Sequence, residues 1–172
     1  MARRWQTGFT LVETVMALLV LGLLAAMAYP MLSNGVRAYV EGADRVETLA
    51  KLRIAGERIT RELREVRRNP LAPANYEFNT MDAASVEFVK NDGTTVTISA
   101  NAPLVDLAYD NPAGTWTLTD QLASLTFNYY QADGSTPATG SADVAFVEFE
   151  LVLADDGNSF PQRSRVALRN QP

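Results

Sequence analysis

Hydrophobic and polar positions alternate with three different rhythms along this chain. From Phe9 to Leu32 the apolar run is nearly continuous, broken only by Thr10, Glu13, Thr14, Gly22 and Pro30. As a helix, these 24 residues reach about 36 Å at roughly 1.5 Å each, enough for a hydrocarbon core of about 30 Å. Pro30 removes a backbone hydrogen bond and crowds the preceding turn, so a bend or a melted segment is predicted there. Gly22, Gly35 and Gly42 lower helix propensity around it.

A second rhythm follows. Val46, Leu49, Leu52, Ala55, Ile59, Leu63 and Val66 recur at helical spacing and form one stripe, predicted to dock on the remainder of the chain. Opposite it, Glu47/Lys51, Glu57/Arg61, Arg58/Glu62 and Arg61/Glu65 stand at i,i+4 and are predicted to solvate the outer face. Asn69-Pro70 predicts the helix stop, because the residue before proline avoids the α region. Leu71 to Asn79, with Pro73, reads as a connecting loop.

Beyond this point the period falls to two. Ser85 to Lys90 and Thr94 to Ser99 alternate around Asn91-Asp92-Gly93, the signature of a hairpin. Further strands are predicted at Trp116 to Thr119, Ser124 to Gln131, Val144 to Ala154 and Arg163 to Arg169. They are separated by Asn111-Pro112-Ala113-Gly114, Asp133-Gly134-Ser135 and Asp155-Asp156-Gly157-Asn158. One long helix followed by an antiparallel meander is an α+β order.

Composition narrows the chemistry. The 172 residues contain no cysteine and no histidine, which removes disulfides, thiol nucleophiles, the usual general base and the commonest nitrogen ligand. No enzymatic role is expected. The net charge of −5 conceals an asymmetry: residues 35–68 hold nine Lys/Arg against six Asp/Glu, and residues 69–172 four against thirteen. An acidic carboxy-terminal part argues against nucleic acid as partner. It reads either as solubility or as a surface for the basic helices of neighbouring copies.

Glu13 is the most informative residue. A carboxylate inside a would-be membrane span costs a few kcal/mol and marks a functional position that needs a partner. The residues Gly8-Phe9-Thr10-Leu11-Val12-Glu13 resemble the cleavage and methylation motif of type IV prepilins and type II secretion pseudopilins. That resemblance implies cleavage between Gly8 and Phe9 by a prepilin peptidase, methylation of Phe9, and pairing of Glu13 with the terminal ammonium of a neighbouring subunit. It also implies a pilin-like fold, with residues 1–8 as leader, 9–34 as transmembrane and filament-core helix, 35–68 as amphipathic helical stalk, and 69–172 as an antiparallel β head that packs with 35–68 as one domain.

The basic stalk ending in Ile59-Thr60-Arg61-Glu62-Leu63-Arg64 and the final strand Ser164 to Asn170 look like J-type minor pseudopilins and minor pilins of MSHA-type systems. K-type minor pseudopilins typically lack the acid that Glu13 supplies here. The expected role is therefore a minor subunit that primes or forms the tip of a type IV pilus or type II secretion pseudopilus. Its expected partners are the prepilin peptidase, other pilins and an inner-membrane assembly platform, with Arg3 and Arg4 holding the leader in the cytoplasm and the head in the periplasm. A major filament-forming pilin is the alternative. A third reading takes Ala26-Met27-Ala28 as an ordinary signal-peptidase site that releases a surface-binding β domain.

Two further features invite a ligand. Asp155, Asp156 and Asn158 offer oxygen atoms for calcium, although their order is ordinary hairpin chemistry and lacks EF-hand spacing; no cofactor is otherwise expected. Trp116, Phe127, Tyr129 and Tyr130 read either as a sugar- or peptide-binding surface or as alternating members of the core.

Overall fold

A computed structural model describes residue 8 and residues 10–168. Helix α1 (Leu11–Arg64) is followed by ten strands: β1 (Arg68–Asn69), β2 (Ala72–Tyr76), β3 (Phe78–Met81), β4 (Ser85–Val89), β5 (Thr95–Asn101), β6 (Leu104–Asp110), β7 (Ala113–Thr119), β8 (Leu122–Tyr130), β9 (Phe146–Asp155) and β10 (Asn158–Ala167). This is the expected α+β class, a long amino-terminal helix packed against antiparallel sheets. The chain divides into two compact units, residues up to 44 and residues from 45 onward.

The first unit consists of the apolar half of α1. Its large side chains, Leu18, Leu21, Leu24 and Met27 among them, are exposed. The helical assignment runs unbroken through Pro30, so the chain does not melt there. A proline ring forfeits one ladder bond, and the neighbouring turns retain theirs.

The second unit holds the core. Leu52, Ala55, Ile59 and Leu63, spaced at i, i+3 and i+4, lie on one face of α1 and join Val86 and Phe88 of β4, Val96 and Ile98 of β5, and Val105 and Leu107 of β6 in a single cluster. Leu125 and Phe127 of β8 and Val147, Phe149, Leu151 and Leu153 of β9 complete it. One sheet has the order β3-β4-β5-β6-β7 and the other β10-β9-β8, while β1 and β2 form a separate pair. Register keeps the buried residues in phase: Val86 faces Ile98, and Ile98 faces Leu107. Asn91-Asp92-Gly93 turns β4 into β5, and Asp156 and Gly157, both at positive φ, turn β9 into β10.

Several boundaries differ from the sequence reading. The stripe docks only from Leu52 onward; Val46 and Leu49 are 68% and 49% exposed, and Thr48 is buried instead. The helix ends at Arg64, before Asn69-Pro70, because the chain turns to pair with the sheet: Arg67 N–H donates to the Val89 carbonyl at 3.0 Å and Val66 bridges Lys90. The segment read as a loop contains β2 and the start of β3. Prolines 70 and 73 obscured it, yet Pro70 sits in the turn between β1 and β2, and Pro73 is tolerated because β2 pairs on one side only. Strand β6 was missed although Val105 and Leu107 alternate with Asp106 and Ala108. Strand β10 begins at Asn158, five residues before the predicted start, and its predicted end at Arg169 lies outside the described residues.

Candidate functional site

At the amino terminus, the side chain of Thr10 caps α1. Its Oγ1 accepts the Glu13 N–H at 3.3 Å, and its carbonyl accepts the Thr14 N–H at 3.1 Å and the Thr14 hydroxyl at 3.2 Å. Thr10 was not among the expected site residues, but the spacing Thr10-x-x-Glu13 is that of a capping box. The cap places Glu13 in the first turn, where a negative charge is favoured by the helix dipole. Leu11, Val12, Val15 and Met16 surround it in sequence and are exposed.

A Cβ added at Gly8 would meet nothing within 4 Å, so no packing inside the chain demands glycine there. Phe9, and with it the Gly8–Phe9 bond, lies outside the described residues, as do Arg3 and Arg4. The helix that follows contains an 18-residue window of mean hydropathy 2.3. It is long and apolar enough to cross a membrane.

A family model described as the prokaryotic N-terminal methylation motif matches residues 6–29. The match supports a type IV pilin-like prepilin family. It contains Gly8, Phe9 and Glu13, implies processing by a prepilin peptidase and assembly with other pilins, and, with the apolar helix behind it, fits a membrane-anchored pilin. Pilin-type proteins are structural rather than enzymatic. Comparison with curated proteins gives no match to the chain.

In the unit from residue 45 onward, the outer face of α1 is not uniformly solvated as its i,i+4 charge pattern predicts. Glu62 is 2% exposed. Arg58 Nε lies 2.9 Å from Glu62 Oε1, and Lys90 Nζ lies 3.2 Å from Glu62 Oε2 and 2.7 Å from Glu65 Oε2. Arg58 also donates through Nη2 to the Tyr109 hydroxyl at 2.6 Å. Burial opposes the charge on Lys90, but the carboxylates of Glu65 and Glu62 outweigh it and raise its pKa. Burial raises the pKa of Tyr109 as well.

The predicted partners are therefore partly exchanged. Glu57 pairs with Arg53 at 2.8 Å and Glu65 with Lys90, leaving Arg61 without either. Lys51 bonds Glu47 as expected but also Asp120 at 3.0 Å. Lys51, Arg53 and Arg58 of the helix are thus paired within the chain. The sequence could not show the exchange of partners, because Lys90, just after β4, and Asp120, between β7 and β8, are far from the helix along the chain.

Beside this cluster runs a groove of about 920 Å³ lined by Ile54, Arg58 and Arg61 of the helix and by Tyr109, Trp116 and Leu118 of β6 and β7. Trp116 and Tyr109 meet edge to face with centroids 5.6 Å apart. The four aromatic residues proposed as one surface do not come together as such. Phe127 is core, and the Tyr129 hydroxyl donates to the Asp82 carbonyl at 3.1 Å. Tyr130 lies beneath Arg165, its ring centroid 4.6 Å from the guanidinium carbon. Trp116 stands apart on the five-stranded sheet.

The calcium candidates Asp155 and Asn158 are engaged in hydrogen bonds within the chain. Asp155 Oδ1 accepts from Gln121 Nε2 at 3.0 Å, its Oδ2 accepts from the Thr48 hydroxyl at 3.3 Å, and the Asn158 amide donates to the Asp156 carbonyl at 3.3 Å. Among the described residues no group of three potential protein ligands of the His, Cys, Asp and Glu types is placed to hold a metal ion. Asp155 instead ties the β9–β10 turn to α1 and to Gln121. Elsewhere, Glu148 on β9 is held by Arg163 and Arg165 of β10; burial would raise its pKa, but the two guanidinium groups outweigh it and lower it.

Proposed function

We propose that the chain is a prepilin whose leader is removed between Gly8 and Phe9, whose new amino-terminal Phe9 is methylated, and whose mature form is a minor subunit that primes or caps a type IV pilus or type II secretion pseudopilus. The observation that carries this reading is the methylation motif running directly into an exposed apolar helix. Glu13 is the assembly contact. Neither its carboxylate nor a terminal ammonium is stable alone in lipid, and in parallel copies each meets the other in a low-dielectric setting that strengthens the attraction. Pro30 adjusts the helix where subunits pack. The head stands in the periplasm and supplies no catalysis.

Mass spectrometry of the mature amino terminus tests the proposal. N-methylated Phe9 is the expected species, and Gly8→Val should leave an uncleaved precursor in the membrane. A mature chain beginning at Tyr29 would instead assign release by ordinary signal peptidase after Ala28. Scarcity relative to sibling pilins is the expected mark of a minor subunit; abundance would assign the major role.

A further inference from the structure

We propose that the groove between the flank of α1 and strand β7 binds an extended acidic peptide segment of a partner protein. This inference concerns the head alone and does not depend on how the amino terminus is processed. Three observations carry it.

The first is the edge of the sheet. Strand β7 ends the order β3-β4-β5-β6-β7, so its outer backbone groups face no strand, and its pairing with β6 is regular from Ala113 to Thr117. Exposed edges are normally guarded by charge, proline or shortness. Strand β10 carries Pro161, Arg163 and Arg165, β3 has only four residues, and on the edge of β8 the N–H groups of Leu122 and Phe127 donate to the carbonyls of Pro103 and Ala83. The seven residues of β7, Ala-Gly-Thr-Trp-Thr-Leu-Thr, contain neither charge nor proline. Such an edge is suited to an added strand, whose main chain supplies the missing hydrogen bonds.

The second is a fixed aromatic ledge. Trp116 is 49% exposed, yet it is not loose. A Cβ on Gly114 would lie 2.4 Å from its ring, so the indole rests directly over the glycine backbone while Tyr109 meets it edge to face. Tyr109 is itself held by Arg58, which Glu62 anchors. With Ile54 exposed across the groove, the walls offer apolar area at little cost in side-chain ordering.

The third is charge. Within the groove Arg58 and Lys90 are answered by Glu62 and Glu65, Glu57 is held by Arg53, and Asp92 accepts its own turn's Thr94 N–H at 2.9 Å. Arg61 makes no ion pair or hydrogen bond among the described residues. An unpaired, planar, permanently charged fork beside an apolar wall selects a carboxylate. The open backbone edge favours a peptide over an acidic sugar, which offers no strand to pair with it.

The test uses the full chain in dodecyl maltoside with Trp5→Phe, which leaves Trp116 as the sole tryptophan of the original two. Two pools of blocked octapeptides are titrated, one with aspartate at alternate positions among varied apolar residues and one with lysine in place of aspartate. The aspartate pool should change Trp116 emission saturably, and the lysine pool should act at least tenfold more weakly. Arg61→Glu should weaken the aspartate response at least tenfold with an unchanged thermal midpoint, whereas Arg64→Glu should not; if Arg61→Glu does not fold, Arg61→Gln replaces it with the same expectation. Equal response to both pools, no response, or full response in the Arg61 variant would overturn the proposal. So would a response to polygalacturonate without one to peptide, which would assign the groove to acidic carbohydrate.

Discussion

Ile59→Ala probes how the helix is joined to the head. Ile59 is wholly buried in the cluster shared by α1 and the strands. Losing three carbon groups at roughly 0.8 kcal/mol each costs about 2.4 kcal/mol in transfer. The space left behind brings such core truncations to about 2–5 kcal/mol. For a unit of this size each kcal/mol lowers the thermal midpoint by roughly 4 °C, so a fall on the order of 8–20 °C is expected. The matched control is Val46→Ala, which lies on the same sequence stripe but is largely exposed; it should stay within about 0.5 kcal/mol of the parent. Both are read by near-ultraviolet circular dichroism during heating of the full chain in detergent. Equal shifts for the two variants would refute the reasoning, because they would mean that the stripe either docks along its whole length or does not dock at all.

Arg58→Ala should destabilise by about 1–3 kcal/mol in the same assay, since it leaves the buried Glu62 to Lys90 alone and takes the donor from the Tyr109 hydroxyl; a change below about 0.5 kcal/mol would return Arg58 to the solvated face. Glu148 predicts a pH dependence. Its folded-state pKa is lowered by Arg163 and Arg165, so its contribution is present above its ordinary value of 4.5 and is lost as pH falls through the folded value. The difference in thermal midpoint between the parent and Glu148→Gln should therefore be largest near neutrality and shrink below about pH 4.5, and a difference constant from pH 7 to 3 would contradict the assignment. Glu13→Val should leave membrane insertion intact or improved while filament initiation falls; unchanged initiation in a strain carrying only this variant would remove Glu13 as an assembly contact.

The prepilin motif was legible in the sequence because its chemistry is local. Gly8, Phe9 and Glu13 lie within six residues, and the apolar run behind them needs no tertiary partner to be read as a membrane-length helix. The same holds for the Asp92-Gly93 and Asp156-Gly157 turns, whose backbone demands are met by the residues themselves. Period-two alternation likewise placed β4, β5, β8 and β9, because one face of each is buried and the other is not.

What the sequence left open was decided by long-range pairing. The helix stops at Arg64 because Arg67 finds the carbonyl of Val89, a competition that local propensity cannot register. The solvated face expected of Arg58 and Glu62 became a half-buried charge cluster around the buried Glu62 once Lys90 and Tyr109 were carried to it by β4 and β6. Asp155 and Asn158 read as oxygen ligands in the sequence, but the fold commits them to Gln121, Thr48 and their own turn. The groove owes its form to the same cause: Ile54, Arg61 and Trp116 are dozens of residues apart, and only the packing of α1 against β6 and β7 brings an unpaired cation and an aromatic ledge to one edge.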